Sequence, residues 1–293
     1  VEPLGLPPCH PAVVIPPASL HTVPFGALPG LDCRPVEIAP SAQWWHRAGA
    51  PVSPAGGVVL VAGPRLAGAV DEVARIAGTW PDAAVLTGRQ ATCAEAVRGA
   101  DGAALVHLAC HGHVRGDHPL LSSFELADGA LTVYDIEQLR TPPQRIVLAA
   151  CDSAVGAARP GDELLGFVSA LLAIGTREVV AAVVPVPDLA TADLMAGLHA
   201  ALGVSAAAHT AAGSVPTGRS VGSGSDVPIA AAGSTTPMGS AGLAGALRSA
   251  ADALDPGDPA GFAARSAFVA FGRAFGQPPP GATGDRAMES PLG

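Results

Sequence analysis

Four segments, Val58–Ala62, Ala103–Ala109, Arg145–Ala150 and Glu178–Val184, are almost uninterrupted apolar runs of strand length. A strand with one face in water alternates apolar and polar residues, whereas a run without alternation needs cover on both faces. Helical patterns stand between and after these runs. Val70, Val73, Ala74 and Ala77 share a face of Ala69–Ala77, and Leu164, Val168, Leu171 and Leu172 share a face of 162–174, with Gly175 as a stop. A further helix is expected over Leu189–Leu202. Such strand–helix alternation predicts an α/β fold with a mostly parallel sheet and helices on both faces.

Shorter signals fill in the frame. Ala83–Leu86 reads as a strand and Thr92–Arg98 as a short helix. Asp128-Gly129 is the turn of a hairpin between Phe124–Leu126 and Ala130–Thr132. Val133–Leu139 is a short helix that stops before Pro142-Pro143, Leu243–Leu254 a later helix, and Ser266–Phe271 a closing strand. The chain divides accordingly. Residues 1–55 are a Pro-rich extended or hairpin part, and 56–202 the core. Residues 203–240 form an Ala/Gly/Ser-rich flexible insertion, 241–276 return a helix and strand to the core, and 277–293 are a disordered tail.

Composition narrows the function classes. Hydrophobic residues make up 49% of the 293 and charged residues 14%, enough for a substantial core. The formal charge of −9, without a Lys/Arg cluster, argues against nucleic acid as a partner. No apolar run approaches the ~20 residues of a membrane helix, and no secretory signal is evident. The five cysteines, Cys9, Cys33, Cys93, Cys110 and Cys151, are odd in number and scattered, which predicts reduced thiols in a cytoplasmic protein.

Ligands of a parallel sheet gather beyond the carboxyl ends of its strands. Two of the apolar runs end there in reactive side chains, the first leading to His111 and the other to Cys151. If the two strands are neighbours, these side chains meet at one rim as a thiolate–imidazolium pair. A free thiol near pKa ~8.5 is mostly protonated at neutral pH, and a nearby imidazolium lowers that value. Gly112 lets the backbone approach a substrate, so its N–H and that of Cys151 could face an oxyanion. A metal site is the rival chemistry, because His107, Cys110, His111, His113 and His118 crowd together. No second cysteine pair at zinc spacing follows, and Cys110 and His111 would point to opposite sides of a strand. The expectation is therefore no metal and no organic cofactor.

The surrounding residues extend the pattern. Val-Pro-Phe-Gly-Ala-Leu-Pro-Gly (Val23–Gly30), His-Leu-Ala-Cys-His-Gly (His107–Gly112) and Pro-Leu-Leu-Ser (Pro119–Ser122) resemble, in order, the CHAT domain, an actinobacterial-type member by composition. Leu-Ala-Asp-Gly-Ala-Leu-Thr (Leu126–Thr132), Leu-Ala-Ala-Cys-Asp-Ser (Leu148–Ser153), Gly-Asp-Glu-Leu-Leu-Gly (Gly161–Gly166) and Val-Val-Ala-Ala-Val-Val-Pro-Val-Pro-Asp (Val179–Asp188) continue the resemblance. The CHAT domain is a caspase-like cysteine peptidase family of clan CD, related to separases.

The resemblance implies a caspase-like three-layer sandwich. It also implies His111 and Cys151 as a catalytic dyad, with Gly112 and Cys151 in the oxyanion hole. Asp188 matches a position associated in separases with a basic P1 side chain, and Glu163 matches a second acidic position. Both have a plainer reading, since acidic residues are favourable in the first turn of a helix. A protein substrate, a regulatory protein and an upstream repeat domain are the implied partners, and a caspase-fold interaction module is the alternative function. The chain departs from the family pattern at Ala154, where Gly is common, and at Val184, where Trp is usual.

Overall fold

The apolar runs become neighbouring strands of one sheet in the computed structural model. It describes residues 9–17, 20, 23–48, 56–113, 118–149, 168–184, 186, 188–213, 242–255 and 257–273. In chain order the strands are β1 (Ala12–Val14), β2 (Val36–Ile38), β3 (Val58–Ala62), β4 (Ala84–Leu86), β5 (Leu105–Ala109), β6 (Gly112–His113), β7 (Ser123–Leu126), β8 (Gly129–Thr132), β9 (Arg145–Leu148), β10 (Glu178–Ala182) and β11 (Phe268–Gly272). Eight of them form a sheet in the order β1-β2-β11-β10-β9-β5-β3-β4, and β6-β7-β8 form a small antiparallel sheet. Strands β4, β3, β5, β9 and β10 are mutually parallel. Strand β11 is antiparallel to β10, and β2 and β1 follow the direction of β11.

The helices are α1 (Ala42–Arg47), α2 (Ala69–Ala77), α3 (Cys93–Ala100), α4 (Val133–Glu137), α5 (168–173), α6 (Asp188–Gly213), α7 (Leu243–Ala253) and α8 (Pro259–Ala267). Because side chains alternate along a strand, each strand feeds both layers. Val106 and Leu108 pack with Ala96, Ile136 and Leu171 on one face. Leu105 and Ala109 pack with Val73, Leu198 and Leu247 on the other. Helices α3, α4 and α5 therefore cover one face and α2, α6, α7 and α8 the other, which makes the three-layer sandwich.

Three elements lay below the sequence signal. Strand β2 and helix α1 are only three and six residues long. Helix α8 carries a proper start, since the Asp258 carboxylate accepts from the N–H groups of Ala260 and Gly261 and Pro259 follows it. Helix α6 runs to Gly213 instead of ending at Leu202, where the flexible insertion was expected to begin. The Ala-rich stretch after Gly203 explains this, since alanine has the highest helix propensity. Residues 214–241 and 274–293 lie outside the described residues.

The reading of all five cysteines as reduced thiols needs correction. Cys9 and Cys33 form a disulfide with Cα atoms 5.2 Å apart. Register is the cause. Strands β1 and β2 are parallel with Ala12 opposite Val36, and each cysteine precedes its partnered residue by three positions. Cys93 and Cys110 are free. The argument for a cytoplasmic setting from cysteine usage loses its footing with this pair.

Candidate active site

Strands β5 and β9 are adjacent and parallel, with Leu108 opposite Leu148. The Ala149 N–H continues the pairing by donating to the Leu108 carbonyl at 3.0 Å. The chain thus arrives at residues 109–111 and at residue 149 from the same rim of the sheet. His111 is half-buried between β5 and β6, and its carbonyl accepts from the Glu125 N–H at 2.9 Å. Gly112 opens β6 opposite Phe124, so the small sheet clamps the backbone directly after the histidine. Cys151 lies outside the described residues, as do Ala154 and Glu163.

Cys110 adjoins His111 in sequence but takes no part in a nucleophilic site. Its side chain is fully buried in the first core layer, and burial pushes its thiol far up from the ordinary range. Gly63, just past β3, presses against it. A Cβ on Gly63 would collide with the Cys110 Cβ and come within 2.7 Å of the Glu125 carbonyl oxygen. The Gly63 N–H also donates to the Ala109 carbonyl at 2.8 Å. A residue with no reactive group therefore sets the packing beside His111. A lone glycine after a strand was its only trace in the sequence.

The histidines that crowd in sequence scatter in space. His107 points into the second core layer, opposite in direction to Cys110, while His113 and His118 are exposed. Among the described residues, no three His, Cys, Asp or Glu side chains are grouped as a metal would require. His107 instead belongs to a buried chain. The Trp80 indole N–H donates to His199 Nδ1 at 2.9 Å, His199 Nε2 meets His107 Nδ1 at 3.1 Å, and His107 Nε2 meets Glu72 Oε1 at 2.9 Å. Indole can only donate, so each link assigns the next: both imidazoles are neutral Nε2–H tautomers and the carboxylate is the final acceptor. The chain ties α2, β5 and α6 together beneath the strand that leads to His111. A histidine inside an otherwise apolar strand was the signal, because a fully buried imidazole must find partners.

Asp188 is the first residue of α6, and its side chain is outside the description. The α6 N-terminus follows β10 by five residues, which puts it beyond the carboxyl end of a strand next to β9. Val184, in the same connection, is 38% exposed. Among the described residues no helix is long and apolar enough to cross a membrane.

Comparison with known proteins gives the fold a wider setting. The sequence matches the family model of the CHAT domain over residues 3–215. No curated protein matches it. A separase–securin complex of Saccharomyces cerevisiae solved at 3.0 Å contains a similar structure, with a TM-score of 0.57 and 12% identity, over 89% of this chain and 15% of that one. The Arg-specific cysteine proteinase gingipain R is similar at a TM-score of 0.51 and 12% identity, over 83% of this chain and 55% of that one. The chain thus spans a small part of the separase structure and about half of gingipain R. At this identity the likeness speaks for the caspase-like fold.

Proposed function

The chain belongs to the CHAT domain family, and from that premise we propose that it is a cysteine endopeptidase with His111 and Cys151 as its dyad. One observation carries the reading: Leu108 and Leu148 are register partners in parallel neighbouring strands, and each reactive residue follows its partner by three positions in sequence. In this mechanism His111 takes the Cys151 thiol proton and the thiolate attacks the scissile carbonyl carbon. The N–H groups of Gly112 and Cys151 hold the oxyanion. Collapse expels the amine, which leaves with the proton from His111, and a thioester remains. Water then adds to the thioester with His111 as base, releasing the acid and restoring the thiol. The chemistry needs no metal or cofactor.

The substrate is a protein cut after Arg or Lys, with Asp188 as the carboxylate that receives the basic side chain and Glu163 as a second acidic contact. The position of Asp188 at the start of α6 supports this and equally suits a role at the helix N-terminus. A regulatory protein partner is supported by the separase structure, which was solved with securin. A caspase-fold interaction module is the alternative.

Peptides with Arg, Lys or Ala at P1 and an electrophilic peptide ketone test the proposal. Wild type should cleave the basic peptides and acquire the ketone on Cys151. Cys151→Ala and His111→Ala should lose about 10³-fold or more in rate. Asp188→Asn should lose Arg/Lys selectivity while Cys151 still takes a neutral ketone. Cleavage that persists in Cys151→Ala sinks the dyad, and a modified Cys151 without peptide turnover favours the interaction module.

A further inference from the structure

We propose that the protein holds a binding site for a small phosphate-type oxyanion, separate from the dyad, in the arginine-lined cavity between α7, α8 and β2. Three arginines line this cavity of about 30 Å³, namely Arg34, Arg248 and Arg265, together with Val36, Leu247 and Phe268. Three arginines lining one cavity are notable in a chain of formal charge −9. A water needs roughly 10–15 Å³ of such space, so the cavity takes a compact group rather than a peptide segment.

The charge around the cavity is incompletely answered. Arg34 is only 5% exposed and is held by neutral carbonyls, its Nε donating to Gly30 at 2.8 Å and one terminal nitrogen to His10 at 3.1 Å. Arg265 stacks on Phe262, with its central carbon 5.0 Å from the ring centroid, and no carboxylate among the described residues pairs with it. Arg248 donates to the Asp252 carboxylate and the Asp32 carbonyl, and its Nε is buried with no partner among the described residues. The nearby Asp32 carboxylate is turned to the Gly30 N–H at 3.0 Å. Among the described residues, Asp252 is thus the one carboxylate paired to this set.

The three arginines are carried by three separate elements: the turn before β2, α7 and the last turn of α8. A planar carboxylate is satisfied by one guanidinium fork, whereas a tetrahedral oxyanion offers acceptors to several donors at once. That geometry selects phosphate or a phosphate monoester. The cavity also has a defined relation to the dyad. Leu108, Leu148, Ala181 and Val269 lie side by side across β5, β9, β10 and β11, and Val269 and Phe268 border the cavity. The site therefore lies towards the same rim of the sheet as His111, on a strand three places from β5, which is about 14 Å across the sheet at ~4.8 Å per strand.

Titration calorimetry and thermal unfolding of the full chain with inorganic phosphate, at ionic strength matched with sodium chloride, test the site. Phosphate should bind and raise the melting temperature, and acetate should do neither. Arg265→Gln, a change at a half-buried helix position, and Arg248→Gln should each weaken binding by about tenfold or more. Arg98→Gln, at an exposed position on α3, should leave it unchanged. Glycerol 3-phosphate serves as the monoester arm: tighter binding than phosphate assigns a monoester, weaker binding the free ion. Absence of any phosphate effect in wild type overturns the proposal. So does equal binding by wild type and a folded Arg265→Gln.

Discussion

Leu108 and Leu148 stand side by side in the parallel pair β5–β9, and His111 and Cys151 each follow by three residues in sequence. A shared register starts both following segments from one rim of the sheet, where the proposed dyad would stand. The strands act as rulers for the segments beyond them, which carry the residues of the proposed chemistry.

The cysteines should separate cleanly by reactivity. Cys151, the proposed partner of His111, should be alkylated first by iodoacetamide at pH 7. Cys93 should react slowly, because burial and a hydrogen bond with Asp128 push its thiol up to about 11. Cys110 should react only on unfolding, and Cys9 and Cys33 only after reduction. Timed alkylation with peptide mapping reads the order. Labelling of Cys110 ahead of Cys151 would contradict the assignment.

Acid should weaken the fold through His199. Burial holds its pKa well below 6.5, and the neighbouring His107 lowers it further. Between 6.5 and that lower value the unfolded chain binds a proton that the folded protein refuses. Stability is therefore full above pH 6.5 and falls with decreasing pH, by at most about 1.4 kcal/mol per pH unit. The groups facing this imidazole are Trp80, His107 and, beyond it, Glu72, while the Arg75–Asp193 pair bridges the same helices at the surface. His199→Gln can accept from Trp80 and donate to His107 without titrating. Urea unfolding from pH 5 to 8 should show a shallower acid limb in that variant.

Opening the disulfide should destabilise the β1 edge of the sheet. Cys9 and Cys33 close a loop of sequence separation 24, for which chain entropy gives about 3.5 kcal/mol. Cys33→Ser should lower the melting temperature and speed exchange of the Ala12 N–H, which donates to the Pro35 carbonyl at 2.9 Å. The β5–β9 pairing should keep its protection. Hydrogen exchange followed by mass spectrometry measures both.

Gly63→Ala should cost about 1–3 kcal/mol, the range for overpacking a filled site. The new methyl has nowhere to go between Cys110 and the Glu125 carbonyl. Because that carbonyl lies next to the pairing of Glu125 with His111, the variant should also lose peptidase rate out of proportion to its stability. Denaturant titration and kcat/KM at a temperature where the variant is fully folded separate the two effects.

The layered α/β class was legible in local pattern alone, because runs such as Val58–Ala62 and Glu178–Ala182 carry no polar alternation and need cover on both faces. It also made His111 and Cys151 candidates, since the apolar runs show which side chains follow each strand, and the family resemblance around them turned the candidates into an expected dyad. Strand order was decided only in the tertiary structure. Nothing local in β5 says that β9 will lie beside it, or that β2 and β11 will lie beside each other and bring Arg34 to one cavity with Arg265. The same holds for Cys9 and Cys33, read as separate thiols until the register of two three-residue strands joined them. Local propensity follows from neighbours in sequence, whereas register and pairing follow from burying surfaces that lie far apart in it.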